Sequence, residues 1–193
     1  MERPPQLADQ FPGGCYIGFN AAVDRKAAEQ LSSVCGEAIR NGFQEITIAL
    51  SSVGGLLDHA YYAFAVLEAL PIKITTYNLG SIQSAANILF LCGDSRYAVP
   101  GATFFFHQTG YEPSPGQRMT EAVVSERLKS LRYEDNRTAE ILAGKTGRSI
   151  KQVRKWQNSE LVMDTGTAIQ NGLISAVQPF AIPEGGFFHQ VIV

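Results

Sequence analysis

Tryptophan occurs once and cysteine three times in this chain of 193 residues. Cys15, Cys35 and Cys92 are odd in number and show no paired spacing, which argues against a disulfide framework and reads as buried thiols in a reducing cytosol. No C-x-x-C occurs, and His59, His107 and His189 lie far apart along the chain, so no metal site is expected. No apolar run approaches the ~20 residues that span a bilayer. The opening Met1-Glu2-Arg3-Pro4-Pro5-Gln6 lacks the basic-then-apolar pattern of a secretory signal, so a cytoplasmic location is expected. Neither sign of charge dominates. The formal net charge of -2 leaves no electrostatic footprint for nucleic acid or an anionic membrane.

What is present is a globular composition, with 45% hydrophobic and 18% charged residues, enough for one domain with a sizeable core. Residues 1–14 are rich in Pro and Gly and are expected to be loosely held, with a single domain over 15–193 and no internal repeat. Strands are expected at Cys15–Phe19, Glu45–Ser51, Ile72–Tyr77, Arg96–Val99 and Thr103–His107, with a last apolar strand near Leu173–Val177. Helices are expected from about Arg25 to Arg40 with Asp24 as cap, and from Leu57 to Leu70. A long one should follow from Met119 to Leu142, then one opening at the Ser149–Gln152 capping box, and a short one capped by Asp164. The stretch from Asn78 to Leu91, after the Ile72–Tyr77 strand, reads as becoming an apolar helix with small residues at its mouth. Strands alternating with helices predict an α/β fold, a mainly parallel sheet covered by helices.

Three features fall where open α/β sheets place their sites, at strand ends. Gly54-Gly55 follows the Glu45–Ser51 strand, and a backbone without Cβ can turn sharply and offer N–H groups to a substrate oxygen. Ser84 sits between a strand and a helix, near unpaired helix N–H groups, where an acyl-transfer nucleophile would be placed. A plain helix cap would look the same. His107 ends an apolar strand and suits either a general base or a hydrogen-bonded core residue. Glu160 and Asp164 are the candidate acids, although Asp164 also fits a cap.

Taken together these stretches resemble one family. Leu50-Ser51-Ser52-Val53-Gly54-Gly55 is similar to its strand ending in Asn-Ser-Pro-Gly-Gly, and Gly80-Ser81-Ile82-Gln83-Ser84-Ala85-Ala86 to its Gly-x-Ala-Ala-Ser-Met-(Ala/Gly). Val99-Pro100-Gly101-Ala102-Thr103-Phe104-Phe105-Phe106-His107-Gln108 is similar to its Leu-Pro-Asn-x-x-x-Met-Ile-His-Gln. Thr146-Gly147-Arg148 and Ala168-Ile169-Gln170-Asn171-Gly172-Leu173-Ile174 are similar to its Thr-Gly-Gln and Ala-x-x-Tyr-Gly-Leu-Ile/Val segments. The family is the proteolytic subunit of Clp protease, ClpP, and the resemblance runs from about Tyr16 to Gln178.

The resemblance implies a crotonase-like fold of repeated ββα-type units and a serine peptidase that needs no cofactor. It implies Ser84 as nucleophile, His107 as base, Glu160 as the acid, and the N–H groups of Gly55 and Ala85 as the oxyanion hole. It implies a peptide or unfolded-protein substrate and a homo-oligomer, a heptameric ring or double ring. It also raises an unfoldase ATPase as partner, although the N-terminal stretch has no evident counterpart of the apolar loops that would meet one. This chain departs from the family in three places. Ala85 replaces a Met, Ser159-Glu160 replaces an Arg-Asp pair, and Pro113 and Pro115 interrupt the strand expected after His107. Two rival readings are a non-catalytic ClpP-like structural subunit and a crotonase-type enzyme acting on an acyl-CoA thioester.

Overall fold

The structure, a computed structural model describing residues 6–192, alternates strand and helix for most of its length. In chain order, α1 (Leu7–Gln10), β1 (Cys15–Asn20), α2 (Arg25–Arg40), β2 (Glu45–Ser52) and α3 (Leu57–Glu68) lead into β3 (Lys73–Gln83) and α4 (Ala86–Phe90). There follow β4 (Ser95–Ala98), β5 (Thr103–Phe105), α5 (Glu121–Thr146), α6 (Ile150–Asn158), β6 (Val162–Asp164), α7 (Thr165–Gln170), β7 (Ala176–Val177) and β8 (Phe187–Gln190). The sheet runs β6-β5-β3-β2-β1-β8, with β4 attached to β3 and β7 to β4. Every pairing is parallel except that of β5 with β6, as the alternation of elements predicts. Within the N-terminal segment, Leu7, Ala8 and Phe11 pack on the core, and the Ala8 N–H donates to Asn41 O. The rest of that segment's expected looseness, at residues 1–5, lies outside the described residues.

Local sequence explains most elements. The Asp24 carboxylate accepts the Ala27 N–H at 2.8 Å and opens α2, whose Ala27, Ala28, Leu31, Val34, Cys35 and Ala38 form a buried stripe. Ile46, Ile48, Ala49 and Leu50 are all buried in β2, the near-continuous run of a parallel strand covered on both faces. Ser149 and Gln152 form the expected capping box at the start of α6. The half-buried Arg96 donates to the carbonyls of Gly93, Lys145 and Leu173, so one guanidinium ties β4 to the end of α5 and to the turn before β7. The last apolar segment pairs only at Ala176–Val177, shorter than expected, and β8 closes the far edge on β1.

The main difference from the sequence reading is β3. It runs to Gln83, where the strand was expected to end at Tyr77 and give way to a helix, and the helix proper begins only at Ala86. The reason is a change of partner. Residues Thr75–Asn78 pair with β4, whereas Ser81–Gln83 pair with β5. On the β2 side the register jumps from Leu50↔Asn78 to Ser52↔Ile82, a bulge in β3. Asn78, fully buried, builds the bend: its Nδ2 donates to Thr103 O at 2.8 Å and its Oδ1 accepts the Gly80 N–H at 2.9 Å. The strand therefore delivers Ser84 next to β5, the strand that ends just before His107.

Candidate active site

Ser84 follows β3 directly with a left-handed φ of 52°, rare for a residue with a side chain. Its N–H donates to Phe105 O at 3.0 Å. Asn87, 2% exposed, holds the turn from the next residue layer, since its Nδ2 donates to Ser84 O at 3.0 Å and to Phe105 O at 2.8 Å. Strained turns of this kind lift a side chain clear of its own backbone.

The Gly54-Gly55 loop lies against this turn. A Cβ on Gly54 would stand 2.7 Å from Ser84 Cβ and 3.1 Å from Ala85 N, and φ there is 87°. At Gly55, φ is 151° and a Cβ would stand 2.4 Å from Val23 O. Only glycine allows so close an approach. Among the described residues neither the Gly55 nor the Ala85 N–H donates to a backbone carbonyl. Two free donors thus lie at the Ser84 turn, an arrangement that could hold an oxyanion.

His107 follows β5. Its ring stacks on Phe105, with centroids 5.4 Å apart and planes 22° from parallel. Its Nδ1 lies 2.6 Å from Gln108 O. A carbonyl can only accept, so Nδ1 is the donor, and in the neutral ring that leaves the lone pair on Nε2. The loop beyond is pinned to α5, because the Thr109 N–H donates to buried Asp135 at 2.8 Å. Ser84, His107, Gly55 and Ala85 all line one cavity of about 380 Å³, within the usual range for ligand sites.

Glu160 is not among the residues lining that cavity. It is exposed, and no hydrogen bond joins its carboxylate to His107 among the described residues. Yet the antiparallel register points to it. The β5–β6 pairs are Thr103↔Asp164, Phe104↔Met163 and Phe105↔Val162. The Phe106 N–H donates to Leu161 O at 3.0 Å, and carrying the same register one step beyond the paired residues would set Glu160 opposite His107. Glu160 also has a φ of 49°, and among the described residues it and Ser84 are the non-glycine residues with positive φ. Such backbone strain clusters at functional sites. Asp164 caps α7 instead: its Oδ1 accepts the Thr167 N–H at 2.7 Å, and that bond holds its carboxyl below the usual range.

Sequence reasoning missed three participants. Asn87 had a weak signal, its place one helical turn after Ser84. His59 and Glu134 line the same cavity as His107 from distant positions in the chain, on α3 and α5, and nothing local marks them.

The Clp protease family profile matches residues 16–179. The ATP-dependent Clp protease proteolytic subunit 3 of Streptomyces avermitilis is 24% identical over 94% of this chain and 83% of its own length. The proteolytic subunit 1 of Corynebacterium jeikeium is 26% identical over 83% and 85%. Among solved structures, a ClpP1 mutant from Listeria monocytogenes superposes with a TM-score of 0.75 at 17% identity, covering 84% of this chain and 90% of that one. That likeness establishes the crotonase-like fold, in keeping with the parallel sheet and its helices. The profile match spans both the glycine loop and the Glu160 segment, and the chain belongs to the Clp protease family and, through it, to the serine-type endopeptidases.

Proposed function

We propose that this chain hydrolyses peptide bonds with Ser84 as nucleophile, inside a ring of its own copies. The observation that carries the reading is the convergence of Ser84, His107 and two unengaged N–H groups on one cavity. In the proposed cycle Nε2 of His107 takes the Ser84 proton as Oγ attacks the carbonyl carbon. The oxyanion is held by the Gly55 and Ala85 N–H groups. The imidazolium then protonates the leaving amine, and water attacks the acyl-enzyme with His107 again as base. No step calls for a metal or cofactor.

Glu160 is the proposed acid. In this structure the Gln108 carbonyl already fixes the productive tautomer. A carboxylate in its place would add charge stabilisation of the imidazolium. Exchange of the carbonyl for Glu160 at Nδ1 is the proposed activating step, supported by the register that, carried one step further, would set the two residues opposite each other. The proposed substrate is a peptide or unfolded protein, and the proposed setting is the cytoplasm, with an unfoldase ATPase as partner. Among the described residues no helix is long and apolar enough to cross a membrane.

The test is hydrolysis of a fluorogenic peptide mixture by the purified protein and by Ser84→Ala. Turnover should vanish in the variant while its melting curve is kept. Undiminished turnover would sink the reading. A specific observation favours one alternative, a non-catalytic subunit: the exposed Glu160 leaves His107 without its acid. That alternative predicts a stable assembly with no turnover in the unaltered protein.

A further inference from the structure

The cavity beside Ser84 has a wall that the catalytic reading does not use. Ser130, Glu134 and Thr138, four residues apart on α5, line it together. Glu134 is half-buried, and its Oε2 has less than 1 Å² of accessible surface and no hydrogen-bond partner. Asn87 Oδ1, in the same lining, is likewise buried and unpaired. Both residues line the cavity, and the chain supplies no donor to either of these acceptors.

The charge of the lining says which donor. It contains Asp58 and Glu134, and among the described residues that form it there is no Lys or Arg. The wall is also rigid. The Tyr61 hydroxyl donates to Glu134 O at 3.3 Å and sits 2.8 Å from Thr138 Oγ1, so α3 clamps this turn of α5. Arg137 is turned away over the Tyr61 ring, 3.7 Å from its centroid, and forms no ion pair with Glu134. A carboxylate in the wall of the Ser84 cavity, with no Lys or Arg in the lining, suits a cationic ligand group.

We infer that Glu134 selects peptides carrying a lysine or arginine side chain next to the scissile bond. The inference rests on the peptidase reading. With the substrate carbonyl on the Gly55 and Ala85 N–H groups, the adjoining side chain enters the remaining volume toward α5. Its ammonium or guanidinium then pairs with the Glu134 carboxylate in the cavity wall. A neutral side chain leaves the Glu134 carboxylate without a counter-charge, and an acidic one adds like-charge repulsion.

The test uses the full chain and peptidyl diphenyl phosphonates that carry Lys, Leu or Glu beside phosphorus. An alkyl fluorophosphonate with no side chain serves as the reference probe. Rates are compared as ratios within each protein, so a change in folded fraction cancels. The Lys probe should outpace the Leu probe by about tenfold to a hundredfold. In Glu134→Gln that ratio should fall toward one, and in Glu134→Lys the Glu probe should become the fastest. If the fluorophosphonate reacts but the Lys and Leu probes do not differ, or Glu134→Gln keeps the original ratio, the specificity is overturned and the peptidase reading stands. Equal slowing of all three probes in Glu134→Gln would also overturn it, making Glu134 a positioning residue for His107. No reaction with any probe overturns the peptidase reading and the specificity with it.

Discussion

Asn87 places both amide protons on carbonyls beside the proposed nucleophile, those of Ser84 and Phe105. Asn87→Leu keeps the volume and removes two side-chain hydrogen bonds, worth about 1 kcal/mol each, while Ser84 O keeps the backbone N–H of residue 87 and Phe105 O that of Ser84. Its melting temperature should fall, and labelling of Ser84 should slow because the turn loosens. An unchanged melt would show that water replaces the amide. Glu160→Gln separates the carbonyl from the carboxylate as orienter of His107. Its kcat should drop, but by less than the ~10²–10⁴-fold that loss of a general base costs, because Gln108 O still holds the tautomer. A neutral Glu160→Gln combined with a severe, folded Asp164→Asn would move the acid to Asp164.

Burial also sets an alkaline limit. It pushes the Cys15 thiol up to about 11, the Cys92 thiol up to about 12 and the Tyr61 phenol up to about 12. Each group binds its proton more tightly in the folded chain than in the unfolded one. The unfolded chain therefore releases protons first as pH rises, and stability is lost with increasing pH. The contribution is whole below about pH 9 and disappears as pH climbs through about 11 to 12. Urea midpoints should be flat from about pH 7 to 8 and fall steeply above about pH 10, with Cys92→Ala showing a shallower fall. A midpoint that holds through that range would contradict the assignment.

At the scale of elements, the site is made by two close approaches, a glycine loop on a turn and one strand changing partner. Gly54→Ala would press a methyl against Ser84 Cβ and Gln83 O at a φ that strains alanine. The sheet should survive, since the loop lies outside β2 and β3, while reaction at Ser84 should fall sharply. A normal labelling rate in Gly54→Ala would show that the loop does not support the nucleophile. These approaches explain what was legible in the sequence. Gly54-Gly55, Ser84 and His107 stand at strand ends, where local residue type carries the signal. The extension of β3 to Gln83 was hidden, because Asn78, Gly80 and Ser81 are poor strand formers. It is held by long-range bonds to Thr103 and Phe105 and by the Asn78 bend, which no local pattern announces. Glu134 was hidden for the same reason, since on sequence alone it is one charge on a polar helix.

For the whole molecule, α5 is the element with most surface left over. Of its 26 residues, Asp135, Ala139 and Leu142 are buried. Val124, Leu128 and Tyr133 are 49%, 45% and 65% exposed. Apolar surface of that kind marks an interface, and the proposed occupants are further copies of this chain. Light scattering at micromolar concentration should give a multiple of the 21.0 kDa chain mass, and Leu128→Glu should lower it. A sharp 21.0 kDa species in the unaltered protein would count against the ring.

The central claim is that Ser84 is a reactive nucleophile activated by His107. Intact-mass analysis after treatment with an alkyl fluorophosphonate, followed by peptide mapping, tests it most directly. The account predicts a single adduct on Ser84, absent in Ser84→Ala and strongly slowed in His107→Ala. No adduct on the folded, assembled protein, or an adduct that persists in Ser84→Ala, would contradict it.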